Sequence, residues 1–219
     1  MQQGVLIVVS GFSGAGKGTL MKNLMAKHGD DYALSISATS RNPRPGEMDG
    51  REYFFVSRDR FEEMIQNQEL VEYAEYVGNY YGTPKAYVME QLAQGKNVIL
   101  EIEIQGAHKI KQQFPDAVLM FVSAPDATEL KDRLIGRGTE TEEIIAKRLS
   151  RACEESQGVE TYDYLIVNDD LDESTERIHT IIKNVHNNLV SQNSLYAISE
   201  NMDFVNKMRD ELRGFSKGE

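Results

Sequence analysis

A glycine-rich segment with one lysine is the clearest sign of chemistry in this sequence. It follows the apolar run Val5–Val9, and apolar residues at helical spacing come directly after it. The pattern G-x-x-x-x-G-K between a strand and a helix predicts a loop whose backbone N–H groups surround phosphate oxygens. The helix N-terminus adds partial positive charge, and Lys17 can reach the β- and γ-phosphates of a nucleotide. We expect the whole loop to bind it: Gly11, Phe12, Ser13, Gly14, Ala15, Gly16, Lys17, Gly18 and Thr19. The alternative is a glycine-rich turn without a ligand, which the strand–loop–helix context disfavours.

The loop departs from the general pattern at one position. Gly18 stands where a Ser or Thr usually follows the lysine, and Thr19 comes one position later. The hydroxyl ligand of Mg²⁺ is therefore missing from its usual place. Because Mg²⁺ keeps several waters and binds phosphate oxygens readily, we expect it to be held mainly by nucleotide phosphates and water. No side chain is assigned as a direct metal ligand.

Two arginines on a proline-containing loop predict a second anion site. Arg41 and Arg44 flank Pro43, and guanidinium groups bind phosphate oxygens in pairs. The phenols of Tyr53 and Tyr81 can add neutral donors. The alternative is a solvated basic loop, but a kinase needs an acceptor site beside its phosphate loop, which favours the anion site.

The elements that must position these residues predict an α/β fold. Continuous apolar runs at Val5–Val9, Val98–Leu100, Ala117–Val122 and Tyr164–Val167 are typical of strands buried on both faces of a parallel sheet. Amphipathic helices alternate with these strands. We therefore expect a P-loop NTPase fold with a parallel central sheet flanked by helices. Two excursions interrupt it, one with short mixed strands and one that is helical and densely charged.

The composition limits the partners and the compartment. The 219 residues carry 24 Lys and Arg against 35 Asp and Glu, a net charge of −11. This acidity disfavours a general nucleic-acid binder and an anionic membrane surface. The single cysteine, Cys153, excludes an intrachain disulfide and favours a reducing compartment, and we interpret it as a small helical side chain rather than a nucleophile. We expect a cytoplasmic protein without nucleic-acid or membrane partners, and a homo-oligomer remains open.

Several segments, in order along the chain, resemble the motifs of guanylate kinases. They are Ser35–Glu47 with Gly50–Phe55, Glu72–Thr83, Leu100–Gly106, Arg133–Glu142 and Ile166–Asp170. The resemblance extends from about residue 4 to 187. It implies transfer of the γ-phosphoryl group of ATP to GMP, and also to dGMP, giving ADP and a nucleoside diphosphate. ATP and GMP are then the small-molecule substrates, and Mg²⁺ is the cofactor.

The resemblance assigns a segment to each part of the reaction. The expected segments are a core with the phosphate loop (1–34), a GMP-binding subdomain (35–83), further core (84–125), a helical lid (126–158), the last core segment (159–190) and a C-terminal helical extension of unassigned role (191–219). For the lid, the alternative is an exposed helix pair with many ion pairs.

Individual roles on the GMP side also follow from the resemblance. The phosphate would be bound by Arg41, Arg44, Tyr53 and Tyr81. Glu72 would accept hydrogen bonds from guanine N1–H and the 2-amino group. Ser37 and Thr83 would contact O6, and Glu103, where the family often has Asp, would assist near the base.

On the ATP side, the resemblance implies that lid arginines close onto the phosphates. These are Arg137 and Arg148, with Arg133 helping, and Asn168 would lie near adenine. The residues expected to act directly in phosphoryl transfer are Lys17, Arg41, Arg137 and Arg148.

The chemistry of guanine supports the base assignment independently. Guanine presents two donors and one acceptor, which a carboxylate and hydroxyl donors complement, whereas adenine would present an acceptor to the carboxylate. An unmatched buried polar group costs about 1–3 kcal/mol. Taken alone, Glu72 is more often a solvated surface charge, and only its motif makes it a base reader.

Two other functions remain as alternatives. One is a P-loop kinase for a different small acceptor, which the Arg41–Arg44 loop and Glu72 disfavour. The other is an inactive binding module, like the guanylate-kinase-like domains of membrane scaffolds that recognise phosphopeptides. The intact Gly16–Lys17 pair and the lid arginines disfavour that reading.

Overall fold

The computed structural model describes residues 3–76, 78–136 and 141–216. The chain divides into two compact units. Unit 1 comprises Met1–Ile7, Asp31–Leu100 and Gln105–Ala117, and unit 2 comprises Val8–Asp30, Glu101–Ile104 and Val118–Glu219.

Strands and helices alternate along most of the chain. The strands are β1 (Leu6–Gly11), β2 (Tyr32–Leu34), β3 (Ala38–Thr39), β4 (Phe54–Phe55), β5 (Leu70–Tyr76), β6 (Asn79–Pro84), β7 (Asn97–Glu101), β8 (Val118–Ser123) and β9 (Tyr164–Val167). The α-helices are α1 (Lys17–His28), α2 (Arg58–Gln66), α3 (Lys85–Ala93), α4 (Ile104–Gln113), α5 (Ala127–Ile135), α6 (Glu142–Glu155), α7 (Leu171–His186) and α8 (Met202–Ser216). Short 3₁₀ segments lie at Gly29–Asp31, Ser156–Thr161, Val190–Tyr196 and Ile198–Asn201.

A five-stranded sheet forms the centre of the fold, in the order β2-β7-β1-β8-β9. β2 belongs to unit 1, and β8 and β9 belong to unit 2. The β2–β7 pair and the β8–β9 pair are parallel. The residues of β8 are buried throughout, as expected for a strand covered on both faces. The predicted α/β class with a parallel central sheet flanked by helices is confirmed.

Unit 1 contains a second, mixed sheet in the order β4-β3-β6-β5. β3 is parallel to β4 but antiparallel to β6, and β5 is antiparallel to β6. α2 covers a small apolar cluster of this sheet. Ser57 begins the helix by accepting a hydrogen bond from the N–H of Arg60 (3.1 Å), and Phe61 and Met64, three residues apart, face the cluster.

In unit 2, two helices begin with aspartate caps. Asp126 accepts from the N–H of Glu129 at the start of α5 (2.7 Å), and Asp170 accepts from the N–H of Glu173 at the start of α7 (2.9 Å). The carboxylates satisfy free N–H groups and complement the helix dipole. Of the helices in the described ranges, none has both the length and the apolar character needed to cross a bilayer.

The space around two glycines, Gly82 between β5 and β6 and Gly214 on α8, predicts opposite effects of substitution by alanine. A Cβ on Gly82 would lie 2.7 Å from the carbonyl oxygen of Glu72 and 2.9 Å from Cβ of Tyr73, so Gly82→Ala should destabilise the protein by about 1–3 kcal/mol. Gly214, on α8, has no such neighbour within 4 Å, so Gly214→Ala should stabilise by up to about 1 kcal/mol through helix propensity. Urea unfolding of both variants measures this, and equal effects would contradict it.

Candidate active site

The glycine-rich loop connects β1 to α1 in unit 2 and uses two left-handed glycines. Gly14 has φ of 95° and Gly16, the N-cap of α1, has φ of 90°, values that disfavour any residue with a Cβ. A Cβ on Gly14 would also lie 3.0 Å from the side chain of Leu134, and one on Gly16 would collide with the amide of Asn168. The sequence can turn its N–H groups inward here because glycine occupies both positions.

The loop encloses one side of an open cleft of about 320 Å³. Its lining residues are Phe12, Ser13, Gly14, Gly16, Lys17, Gly18, Thr19, Lys22 and Glu101. The ammonium of Lys17 donates to the carbonyl oxygens of Gly11 (2.5 Å) and Phe12 (3.1 Å). An anionic phosphate oxygen is a stronger acceptor for this ammonium than either neutral carbonyl oxygen.

Two side chains from other elements contact the loop: Asn168, which follows β9, and Arg133, which lies on α5. The amide of Asn168 donates to the carbonyl oxygen of Ala15 (2.7 Å), and the residue is only 7% exposed. Arg133 donates through Nη2 to the carbonyl oxygen of Asn168 (3.0 Å) and through Nε to Glu129 (2.8 Å). The structure therefore brings the predicted Asn168 and Arg133 to the loop, where the amide of Asn168 is bonded to the loop backbone.

A second arginine of the predicted lid also reaches the loop. Arg148, on α6, donates through Nη1 to the hydroxyl of Ser13 (2.9 Å). Arg137, predicted to act with it, lies outside the described residues.

The predicted acceptor arginines lie in unit 1, and an acid organises them. Arg41 donates to Oε1 of Glu47 (3.0 Å), and the N–H of Arg44 donates to Oε2 (2.6 Å). The bonds from Arg41 and Arg44 hold the pKa of Glu47 below its ordinary value. The side chain of Arg44 is exposed.

Aromatic rings surround the guanidinium of Arg41. Its Cζ lies 5.5 Å from the ring centre of Tyr53 and 5.8 Å from that of Phe55. The rings of Tyr53 and Tyr81 are 5.9 Å apart in an edge-on arrangement. The hydrogen bond to Glu47 is the main cause that raises the pKa of Arg41, and Tyr81 adds to it. Three of the four predicted phosphate-binding residues thus form one cluster, which cation–π contacts stabilise.

Glu72, which is partly buried, and Thr83 form a polar pair between β5 and β6. The hydroxyl of Thr83, which is fully buried, donates to Oε1 of Glu72 (2.8 Å). Burial raises the pKa of the Glu72 carboxyl above its ordinary value of 4.5, whereas the bond from Thr83 and the charge of Lys109 oppose that change. Ser37, the other predicted O6 contact, immediately precedes β3.

Glu103, predicted to assist at the base, belongs to unit 2. Its carboxylate accepts a hydrogen bond from Arg151 of α6 (2.6 Å), and its side chain is 73% exposed. An ion pair this exposed contributes little to stability, so it leaves Glu103 available to other partners.

Sequence reasoning missed two acids, Glu47 and Glu101. Glu101, at the end of β7, faces the cleft, and neighbouring atoms exclude enough water to raise its pKa while Lys17 opposes that change. An acidic residue directly after a buried strand was the available signal. For Glu47 the signal was its spacing of three residues from Arg44, which matches the spacing from Arg41 to Arg44.

Comparisons with known proteins agree on one family. The family model described as guanylate kinase matches residues 3–185. A guanylate kinase of Streptococcus thermophilus is 52% identical over 185 residues, covering 84% of this chain and 88% of the relative. One of Bacillus cereus is 50% identical, covering 84% and 90%. A crystal structure of guanylate kinase from Anaplasma phagocytophilum superposes with a TM-score of 0.64 at 31% identity, covering 84% of this chain and 86% of that one. Its likeness confirms the predicted P-loop NTPase fold.

Because desolvation raises the pKa of Glu72, replacing this residue by an uncharged one should stabilise the protein at neutral pH but not at low pH. A carboxyl whose pKa is raised by folding holds its proton more tightly in the native state, so stability falls as pH rises through that range. Glu72→Gln keeps an oxygen for Thr83 and removes the charge. It should raise the free energy of unfolding at neutral pH, and the gain should vanish below the ordinary pKa of 4.5.

Urea unfolding at several pH values between about 4 and 8 measures this difference. Glu90→Gln, at an exposed position of α3, is the control because it removes the same charge from the surface. An equal gain in the free energy of unfolding of the control would mean that the effect comes from net charge, and it would contradict the burial argument.

Proposed function

This chain belongs to the guanylate kinase family and transfers a phosphoryl group from ATP to GMP, and we propose that it does so with the two groups of residues described above. On the ATP side these are the loop Gly11–Thr19, Arg133, Arg148 and Asn168. On the GMP side they are Ser37, Arg41, Arg44, Tyr53, Glu72, Tyr81 and Thr83, with Glu103 near the base. The observation that carries the ATP-side proposal is the convergence of Lys17, Arg133 and Arg148 on one loop.

The reaction requires positioning and charge neutralisation rather than covalent catalysis. An oxygen of the GMP phosphate attacks the γ-phosphorus of ATP in line, and the bond from that phosphorus to the β–γ bridging oxygen breaks. The electron pair remains on ADP, and GDP is the other product. Because the attacking phosphate is already largely ionised near neutral pH, no general base is needed. Lys17 and the arginines stabilise the negative charge that spreads in the transition state.

Mg²⁺ is part of this proposal, since transfer from ATP generally uses a divalent ion. The cleft offers the oxygens such an ion prefers, the Glu101 carboxylate and the Thr19 hydroxyl. When bound, the ion neutralises phosphate charge. We propose that nucleotide phosphates and water hold it mainly, and that Glu101 accepts hydrogen bonds from its waters.

On the acceptor side, Glu72 would read N1–H and the 2-amino group of guanine. Because Thr83 donates its only hydroxyl proton to Glu72, we propose that Thr83 orients the carboxylate and that Ser37 supplies the donor for O6. Arg41 and Arg44 would bind the phosphate with Tyr53 and Tyr81. None of these contacts involves the 2′-hydroxyl, so we propose dGMP as a second acceptor.

The remaining sequence expectations stand as proposals. Residues 35–83 would form the GMP-binding segment, 126–158 the ATP-side lid, and 1–34, 84–125 and 159–190 the core. A cytoplasmic location fits the nucleotide substrates and the single cysteine. The oligomeric state and the absence of nucleic-acid partners stay predictions.

Lys17→Met should lower kcat by about 100-fold or more, because it removes a preorganised cation from the transferring phosphate. A coupled assay of ADP formation with ATP and GMP measures this, with circular dichroism to check the fold. Lys27→Met, on the same helix but paired with Asp172 at 2.8 Å, is the control and should keep activity. Near-normal turnover of a folded Lys17→Met variant would refute the assignment.

Glu72→Gln should weaken the discrimination between GMP and IMP. IMP lacks the 2-amino group and so loses one bond to a charged acceptor, about 1.5–3 kcal/mol or about 10- to 150-fold in kcat/KM. AMP should be worse, because its N1 is an acceptor facing the carboxylate. With one accepting oxygen left, Glu72→Gln should lose activity on GMP and narrow the gap to IMP.

The measurement is kcat/KM for GMP, IMP and AMP. Glu75→Gln, on the exposed part of the same strand, is the matched control and should keep the GMP preference. If Glu72→Gln also kept the full preference for GMP over IMP, Glu72 would not be the base reader, and Glu103 would be the next candidate.

A further inference from the structure

The last thirty described residues, 187–216, lie beyond the part of the chain that the family model matches, residues 3–185. We call residues 187–216 the C-terminal segment. It contains the 3₁₀ segments Val190–Tyr196 and Ile198–Asn201 and the helix α8. All of it belongs to unit 2, as do the phosphate loop, α5 and α6.

Polar contacts fix the start of the C-terminal segment to the core. Asn193 is completely buried, and its amide donates to the carbonyl oxygen of Ile181 (3.1 Å) while it accepts from Asn184 (2.8 Å). Ala197 forms an antiparallel bridge with Tyr164 of the edge strand β9. A buried amide with satisfied partners indicates a defined position rather than a loosely attached tail.

α8 packs its apolar face against the helices that carry the ATP-side arginines. Val205, Met208 and Leu212, at helical spacing, are at most 3% exposed, and α8 contacts α5, α6 and the 3₁₀ segment Ser156–Thr161. Arg209 donates to the carbonyl oxygen of Ser156 (2.8 Å) at the end of α6 and to Glu160 (2.8 Å).

Glu211 adds a hydrogen bond at the start of α5. Its Oε2 accepts from the N–H of Ala127 (3.1 Å), the first residue of that helix. The first N–H groups of a helix have no partner inside it, and Asp126 satisfies that of Glu129 only. α8 thus contributes one acceptor to the cap of α5 from a distant part of the chain.

α5 in turn touches the phosphate loop at two places. Arg133 donates through Nη1 to the carbonyl oxygen of Ala15 (3.5 Å) and through Nη2 to that of Asn168, whose amide also holds Ala15. Leu134 contacts the loop where Gly14 leaves no room for a side chain. A shift of α5 would therefore reach the loop through Arg133 and Leu134.

We propose that Glu211 is a positioning residue for ATP, which acts by fixing α5 and, through it, Arg133 and the phosphate loop. The assignment rests on the proposed ATP-side roles of that helix and loop. Because the residues of the GMP side lie on other elements, its loss should weaken ATP and ADP binding and leave GMP binding unchanged.

The experiment compares Glu211→Leu, which has no acceptor, with Glu211→Gln, which retains one. Calorimetric Kd values for ADP alone and GMP alone are measured, together with KM for ATP and GMP. Glu211→Leu should weaken ADP binding by about 3- to 10-fold and raise the KM for ATP similarly, with GMP values unchanged. Glu211→Gln should have the same Kd and KM values as the unmodified protein. Asp210→Asn, at the neighbouring exposed position, should have no effect.

Two results would overturn the proposal. One is unchanged ADP binding by Glu211→Leu; the other is an equal loss for ADP and GMP, which a general loss of stability would produce. If Glu211→Leu fails to fold, Glu211→Ala, which also has no acceptor for the N–H of Ala127, replaces it with the same expected split. Absence of ADP formation by the unmodified protein would instead refute the proposed function, and the ADP Kd would still test the role of Glu211.

Discussion

The phosphate loop has a left-handed backbone at Gly14 and Gly16, and residues from three other elements contact it. The two glycines can adopt this conformation, but they do not stabilise it, because glycine loses the most conformational entropy when its backbone is fixed. The stabilising contacts come from elsewhere in unit 2. Asn168 holds Ala15, Leu134 closes against Gly14, and Arg148 contacts Ser13. Residues after β9, on α5 and on α6 therefore all serve the geometry of one short loop.

The acceptor side uses different physics. Its strands β3 and β4 have two residues each, too few to be stable without close packing of their neighbours. Gly82 allows β5 and β6 to approach closely enough to bury Glu72 beside Thr83. A partly buried carboxylate opposes folding, so Glu72 lowers stability, and the base recognition proposed above is the role that would offset this loss.

The sequence was sufficient for the features that depend on local pattern. The loop, the central strands and the spacing of Arg41 and Arg44 are each encoded in a few adjacent residues. It was not sufficient where a side chain has its partner far along the chain. The bond of Asn168 to Ala15, the pairing of Glu103 with Arg151 and the cap that Glu211 places on α5 join residues that no local pattern connects. Glu47 and Glu101 were missed because an isolated glutamate is ordinary on an acidic protein.

If Arg41 binds the GMP phosphate as proposed, that phosphate would compete with Glu47, which already pairs with Arg41. Both side chains are mostly buried, 15% and 18% exposed, so the pair is shielded from bulk ions. Phosphate binding at Arg41 would therefore replace one anion, the Glu47 carboxylate, by another. Simple anions such as chloride or inorganic phosphate have no means of displacing Glu47 beyond their charge. If Glu72 reads the base as proposed, a nucleotide has a second source of binding free energy, and Glu47 would then favour nucleotides over simple salt anions at Arg41.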